Sequence, residues 1–472
     1  MRDATINEID QVMQQSQTAF RAYRKLAVSR RVEFMYKIAE QLQESADEII
    51  AIAGKETNLP AARLRNELNR TCFQLTSYGD AAAKGEWRQL RRDDADLGKT
   101  PPRPLIRKMM VPIGPVVVFG AANFPFAYST AGGDTACALA AGCSVVVKAH
   151  PAHAGTSEKV ATIIERAAMM CAMPAFTFQH VYGVGNEVGR ALIEHPLTKA
   201  AGFTGSLAGG RQLFDWANQR PVPIPVFAEM SSINPVFILP DKLQREPALL
   251  ATQLAASVTL GVGQFCTNPG LLIAPKIPEL EKFKSVFAEE IRKNQPAEML
   301  HTGIFLNYVE RRGNAVAQEG VELLATSEIE PLHNQGLATI ATVSGDVFLN
   351  NPLLHQEVFG PFTLLVQCDD MNQVMEVAQK LEGQLTTTLM ATPNDLEQFP
   401  DVTEAAIDLA GRVILNGVPT GVEVCQSMMH GGPYPATTDS RFTSVGSDGI
   451  MRFVRPVAFQ NWDENQFEKF GI

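Results

Sequence analysis

From residue 115 onward the chain alternates short β-branched runs with stretches of helical spacing, and this rhythm constrains the fold more than any single residue does. Runs at 116–119, 144–148, 177–182 and 199–203 are separated by helical stretches near 129–141, 156–171, 186–194 and 207–219. Runs so short and apolar must be covered on both faces, which predicts a parallel sheet with helices on either side. A second series follows residue 225, with strands expected near 235–239, 271–274, 363–367, 385–390 and 413–415, and helices near 246–260, 279–292, 372–381 and 394–409. The expected fold class is therefore α/β, with two Rossmann-like parallel-sheet lobes meeting near residue 228. Open sheets of this kind bind ligands at the carboxyl ends of their strands, which points to a nucleotide.

The 472 residues allow about three domains, or two large ones, at roughly 150 residues each. With 45% apolar and 19% charged residues the chain can build large cores, and extended disorder or coiled coil is excluded as its main organisation. The net charge of -10 repels polyanions, so neither nucleic acid nor an acidic membrane is an expected partner. The opening ten residues lack the apolar core of a signal peptide, and the most apolar stretch, 111–128, is broken by prolines and glycines; the expected location is cytoplasmic. Seven cysteines without a CxxC pair argue for reduced thiols. Before residue 90, apolar spacing predicts helices near 6–23, 31–53 and 60–83. The charged, proline-bearing stretch 89–108 reads as a linker or a pair of exposed edge strands.

Four places stand out chemically. Cys266 lies in the polar, glycine-rich loop Gly261-Val-Gly-Gln-Phe-Cys-Thr-Asn-Pro-Gly270, where a thiolate nucleophile has room and nearby amides, although most intracellular cysteines are buried and inert. Glu229 ends an apolar run and suits a general base raised in pKa by partial burial; a cap or an ordinary ion pair is the plainer alternative. Gly205 and Gly210 enclose four residues where a strand turns into a helix, a setting for a pyrophosphate or simply a tight turn. Lys148 ends a strand, where it would hold a ribose or phosphate or remain solvated. His150 and His153 have no acidic or sulfur ligands at useful spacing, so no metal is expected.

Taken together, these segments resemble the aldehyde dehydrogenase superfamily, in one order over about 14–457. Gly263-Gln-Phe-Cys-Thr267 looks like that family's nucleophile loop and Glu229-Met-Ser-Ser-Ile-Asn-Pro235 like its general-base segment. Asn123, in Ala122-Asn-Phe-Pro125, matches the asparagine that donates to the oxyanion. Lys148 matches the adenosine-ribose lysine. Phe203, Thr204, Gly205, Ser206 and Gly210 match the pyrophosphate turn, while Glu357 and Phe359, in Glu357-Val-Phe-Gly-Pro361, match the grip on the nicotinamide ribose. Departures such as Met230-Ser-Ser232, and the segment Met429-His-Gly-Gly-Pro433, are similar to a bacterial subgroup that oxidises 2-oxoglutarate semialdehyde; fatty aldehyde dehydrogenases are similar to the same subgroup.

The resemblance implies NADP or NAD as cofactor and an aldehyde oxidised to an acid through a thiohemiacetal and a thioester on Cys266. A related acyl-transferring reductase would lack Glu229, and a catalytically silent homologue would not keep the whole set. The implied domains are a cofactor-binding domain over 1–88 and 110–228, a catalytic domain over 229–454, and oligomerisation segments at 89–109 and 455–472 forming a small β ribbon in a homodimer or tetramer. The chain begins a few dozen residues later than the family's N-terminal strands. For the substrate, Phe126 and Phe265 are expected near the reacting end, with Ser440 or Arg441 meeting the remote carboxylate.

Overall fold

The computed structural model describes residues 2–463, 465 and 466. Its chain forms two units, Met1–Glu229 with Val424–Met428 and Phe442–Ile472, and Met230–Glu423 with Met429–Arg441. Of the stretch 229–454, Glu229, Val424–Met428 and the part from Phe442 onward belong to the first unit. Both expected oligomerisation segments also belong to the first unit, and residues 464 and 467–472 of the second segment lie outside the described residues.

The first unit begins with helices α1 (Ile6–Tyr23), α2 (Val28–Glu44), α3 (Ala46–Thr57) and α4 (Ala61–Lys84). A capping box between Thr5 and Glu8 starts α1, and its buried stripe of Ile9, Met13, Ala19, Phe20 and Tyr23 has the 3–4 residue spacing of one helix face. The single helix expected at 31–53 breaks at Ser45. Strands β1 (Arg91–Asp93) and β2 (Ile106–Pro112) form an antiparallel ribbon, which the last strand, Val454–Gln460, extends by pairing along β2. Met109 and Val111 pack beneath it against Val457 and Phe459.

Five parallel strands follow: β3 (Val116–Phe119), β4 (Val145–Lys148), β5 (Phe178–Val181), β6 (Ala200–Thr204) and β7 (Val226–Glu229), in the order β5-β4-β3-β6-β7. Helices α5 (Gly133–Ala141), α6 (Ala154–Met170), α7 (Asn186–Glu194) and α8 (Leu207–Gln219) lie between them in sequence. The chain runs outward from β3 in one direction and then restarts at β6 in the other, so the strand order reverses between β3 and β6, where such sheets open a crevice at their carboxyl ends. A Cβ on Gly202 in β6 would sit 2.6 Å from the carboxylate of Asp134 and would have to displace it. That carboxylate pairs with Arg452 at 2.6 Å, tying the returning chain to α5.

The second unit holds a seven-stranded sheet in the order Glu322–Thr326, Thr339–Ser344, Phe362–Cys368, Leu271–Pro275, Val236–Ile238, Gln384–Met390, Ala410–Leu415. Apart from the antiparallel first strand, all neighbours are parallel. Buried aliphatic clusters cover both faces, one around Phe237, Ile273 and Val366 and the other around Leu254, Phe283 and Leu365. Strands 322–326 and 339–344 and the helix Thr302–Val316 were not expected, because threonines and charged residues blur their patterns. No helix among the described residues is long and apolar enough to cross a membrane.

Candidate active site

In the first unit the candidates gather at the carboxyl edge of the five-stranded sheet. Lys148 ends β4 half-buried, its amine pushed down by burial and partly restored by the charge of Asp3. Thr204 ends β6, and the chain turns through Gly205 to Ser206, whose Oγ accepts the Gly209 amide at 3.2 Å and caps α8. A Cβ on Gly205 would lie 2.6 Å from the Phe203 ring and would have to displace it. The first turn of α8 is solvent-facing and carries no acidic residue, while Gly210 is buried beneath it. An exposed set of helix amides beside a strand-end lysine suits the phosphates of a dinucleotide.

Glu229, the last residue of β7, is 4% exposed. Its carbonyl accepts the Gly205 amide at 3.1 Å, and its Oε2 accepts the Ser444 hydroxyl at 3.1 Å. Asn123 lies in the loop after β3, its carbonyl accepting Arg63 Nη2 at 3.1 Å. The same loop is held by Glu67 of α4, whose Oε1 accepts the backbone amides of Phe126 (2.7 Å) and Ala127 (3.0 Å). Burial pushes the Glu67 carboxyl up to about 7 against the pull of those amides and of Arg63 and Arg70. His150 and His153 stack at 5.2 Å; His150 Nδ1 accepts the Ala152 amide and His153 Nε2 lies 2.9 Å from the Ala121 carbonyl, so both shape the loops around β3 and β4.

In the second unit, three consecutive residues at the start of the Cys266 loop, Gly261, Val262 and Gly263, have φ of 55°, 58° and 62°. Val262 pays for that turn, because a β-branched side chain disfavours positive φ. At Gly263 a Cβ would lie 2.2 Å from the Gly360 carbonyl oxygen, so the loops of Cys266 and Glu357 touch through bare backbone. Asn234 Nδ2 donates to the carbonyls of Cys266 (2.9 Å) and Asn268 (3.0 Å), which fixes the loop. Half-buried Cys266 has its Sγ 3.6 Å from His430 Nε2. By contrast, burial pushes Cys72, Cys137 and Cys143 up to about 11 and Cys368 up to about 12, and raises Cys171, so these remain thiols.

Glu357 accepts the Ser231 hydroxyl at 2.8 Å. Burial pushes its carboxyl up to about 7, opposed by Ser231 and by the charge of Arg311. Phe265, Glu357 and Phe359 line one cavity together with Asn268 and Gly360. Two substrate candidates sit otherwise than expected. Phe126, 1% exposed, is packed in the interior. Arg441, whose side chain is 80% exposed, is paired at 2.5 Å with Asp439, next to the exposed Ser440. Three residues after Arg441, Ser444 donates to Glu229. Ser444, His430, Asn234, Ser231 and Glu67 were not singled out by the sequence, although His430, Asn234 and Ser231 lay in segments already marked by the resemblance.

The model for the aldehyde dehydrogenase family matches residues 1–454. An alpha-ketoglutaric semialdehyde dehydrogenase from Acinetobacter baylyi is 42% identical over 460 residues, 97% of this chain and 87% of the relative. Alpha-ketoglutaric semialdehyde dehydrogenase 2 from Azospirillum brasilense is 44% identical over 459 residues, again 97% of this chain and 87% of the relative. Among solved structures, glyceraldehyde-3-phosphate dehydrogenase from Methanocaldococcus jannaschii, complexed with NADP, matches with a TM-score of 0.82 at 18% identity over 98% of this chain and 95% of that one, a likeness of fold.

Proposed function

Since the chain belongs to the aldehyde dehydrogenase family, we propose that it oxidises 2-oxoglutarate semialdehyde to 2-oxoglutarate with NAD(P), in the cytoplasm, as a homodimer. The identity of 42% and 44% to two relatives with that named activity supports the substrate. The observation that carries the chemistry is Cys266: five other cysteines are held as thiols by burial, while this one is half-buried in a braced loop with an imidazole 3.6 Å from its sulfur.

His430 takes the proton of Cys266, and the thiolate adds to the aldehyde carbon to give a thiohemiacetal. The side-chain amide of Asn123 and the backbone N–H of Cys266 are the donors for its oxyanion. The nicotinamide, when bound, supplies the hydride acceptor. Glu229, one oxygen held by Ser444, draws a proton from water, whose oxygen adds to the Cys266 thioester; the acid is released and the thiolate regenerated. Lys148 and the turn of Phe203, Thr204, Gly205, Ser206 and Gly210 hold the adenosine side of the cofactor, and Glu357 with Phe359 its nicotinamide ribose. The exposed outer edge of β1 and the last strand are the surfaces proposed for the subunit partner.

The test is a panel of succinate semialdehyde, 2-oxoglutarate semialdehyde, hexanal and tetradecanal with both cofactors. The highest kcat/KM is expected for 2-oxoglutarate semialdehyde; a clear preference for tetradecanal would reject the substrate.

A further inference from the structure

The loops that leave the carboxyl ends of β4 and β5 bring no charge of their own to Lys148. Residues 149–157 after β4 and 182–186 after β5 contain no Asp, Glu, Lys or Arg. Two carboxylates arrive at this edge from elsewhere in the first unit. Asp3 lies beside the end of β5: the Ala4 amide donates to the Tyr182 carbonyl at 2.9 Å, and Asp3 Oδ1 accepts the Val184 amide at 3.0 Å. Lys148 is the register partner of Val181, whose carbonyl accepts the Ala149 amide at 2.8 Å. Residues 3 and 4 therefore run along the stretch immediately beyond the strand end to which Lys148 is paired. The charge of Asp3 reaches the Lys148 amine and favours its protonated form.

Glu56 of α3 closes a second place where an anion could sit. Its carboxylate accepts the amides of Gly155 and Thr156, both at 2.8 Å, and the Thr156 hydroxyl at 2.6 Å, which fills the first turn of α6. A helix N-terminus takes a phosphate only while its amides are open. The first turn of α8, by contrast, carries no acidic residue. Asp3 keeps one oxygen available, because its carboxylate accepts only the Val184 amide, through Oδ1, among the described residues, and neighbouring Arg2 is engaged by Glu8.

We propose that Asp3 is a specificity-determining residue at the adenosine ribose: its Oδ2 accepts a ribose hydroxyl beside Lys148, and its charge opposes a 2′-phosphate. This rests on the reading of Lys148 as the lysine that holds the adenosine side of the cofactor. An unmodified ribose offers two hydroxyl donors, and a carboxylate acceptor next to an ammonium donor matches them. A phosphate at the 2′ position removes one donor and brings about two negative charges. Accommodating it calls for an arginine or for open helix amides. Here the charge of the strand-end lysine is offset by Asp3, and the amides of α6 are filled by Glu56. NADP is thus accepted at a disadvantage, although no acid follows Lys148 closely in sequence.

The test measures equilibrium binding of adenosine 5′-phosphate and adenosine 2′,5′-bisphosphate, the adenosine ends of NAD and NADP, to the full chain by calorimetry. It compares the wild type with Asp3→Asn, Asp3→Arg and Lys148→Met. Asparagine keeps an oxygen for the Val184 amide and loses only the charge, so a merely structural role would leave the ratio of the two dissociation constants unchanged. The proposal expects Asp3→Asn to shift that ratio toward the bisphosphate by about tenfold, and Asp3→Arg by about a hundredfold, with melting temperatures near that of the wild type. The ratio of kcat/KM for NADP and NAD should follow. A ratio unchanged in Asp3→Asn and in Asp3→Arg would overturn the proposal and leave Asp3 as a tether of the chain to β5. The reading of Lys148 is decided separately: Lys148→Met should weaken adenosine 5′-phosphate by about tenfold. Unaltered binding would reject the lysine, whereas the Asp3 ratios still decide for or against the acid.

Discussion

Replacing Glu67 by glutamine isolates a pH-dependent cost built into the loop that carries Asn123. The carboxyl is fully buried and pushed up from 4.5 to about 7. An acid whose folded pKa is raised binds more protons folded than unfolded, so between pH 4.5 and 7 rising pH favours the unfolded chain. At about 1.4 kcal/mol per pH unit, that interval amounts to a loss of about 3 kcal/mol by pH 7, absent at pH 4 and constant above pH 8. A glutamine carbonyl can still accept the amides of Phe126 and Ala127 but does not titrate. The melting temperature of Glu67→Gln relative to wild type should therefore climb steadily from pH 5 to pH 8, whatever constant offset the lost charge introduces. Glu67→Ala, which strands both amides, should be destabilised by about 2–6 kcal/mol at pH 4, a deficit that shrinks by about 3 kcal/mol toward pH 8 because alanine does not titrate either. Melting curves of the three proteins across that range are the assay. A flat difference between wild type and Glu67→Gln, or one falling with pH, would refute the burial argument.

In the role proposed for Glu357, ribose hydroxyls are held only by its carboxylate form, and with its carboxyl pushed up to about 7 the KM for the cofactor should fall as pH rises from 6 to 8, a trend that Glu357→Gln should abolish. The residues after Lys148 up to Glu158 carry no acid to repel a 2′-phosphate, so NADP should be accepted; a preference for NAD of about a hundredfold or more, in steady-state kinetics, would contradict this. Asp3, whose charge reaches Lys148, tempers that expectation, and Asp3→Asn should move the ratio of kcat/KM toward NADP. Light scattering at micromolar concentration should show a dimer, and a fully active monomer would reject the proposed edge pairing.

The strands with uniform valine runs, β3 and β4, were legible to within a residue because burial on both faces leaves no other pattern for them. Cys266 stood out by the composition of its loop and Glu229 by ending an apolar run, but only the ordered set of matched segments raised either above the plainer alternatives. The partners that tune them were not: Ser444 reaches Glu229 across 215 residues of sequence and His430 reaches Cys266 across 164. Local spacing carries no signal for such pairs. Helix α4 was expected, but nothing in its spacing showed that the fold buries Glu67, whose Oε1 accepts the amides of Phe126 and Ala127 in the loop of Asn123. A polar side chain is placed there by hydrogen bonds to distant backbone, which periodicity does not see.

The central claim, oxidation through a thioester on Cys266 resolved by Glu229, is tested most directly by quenching Glu229→Gln after mixing with NAD(P) and 2-oxoglutarate semialdehyde, then mapping peptides by mass spectrometry. The account predicts reduced cofactor in a single stoichiometric burst and a matching acyl adduct on the peptide containing Cys266, with neither burst nor adduct in Cys266→Ala. Continued turnover of Glu229→Gln at the wild-type rate, or an adduct on another cysteine, would contradict it.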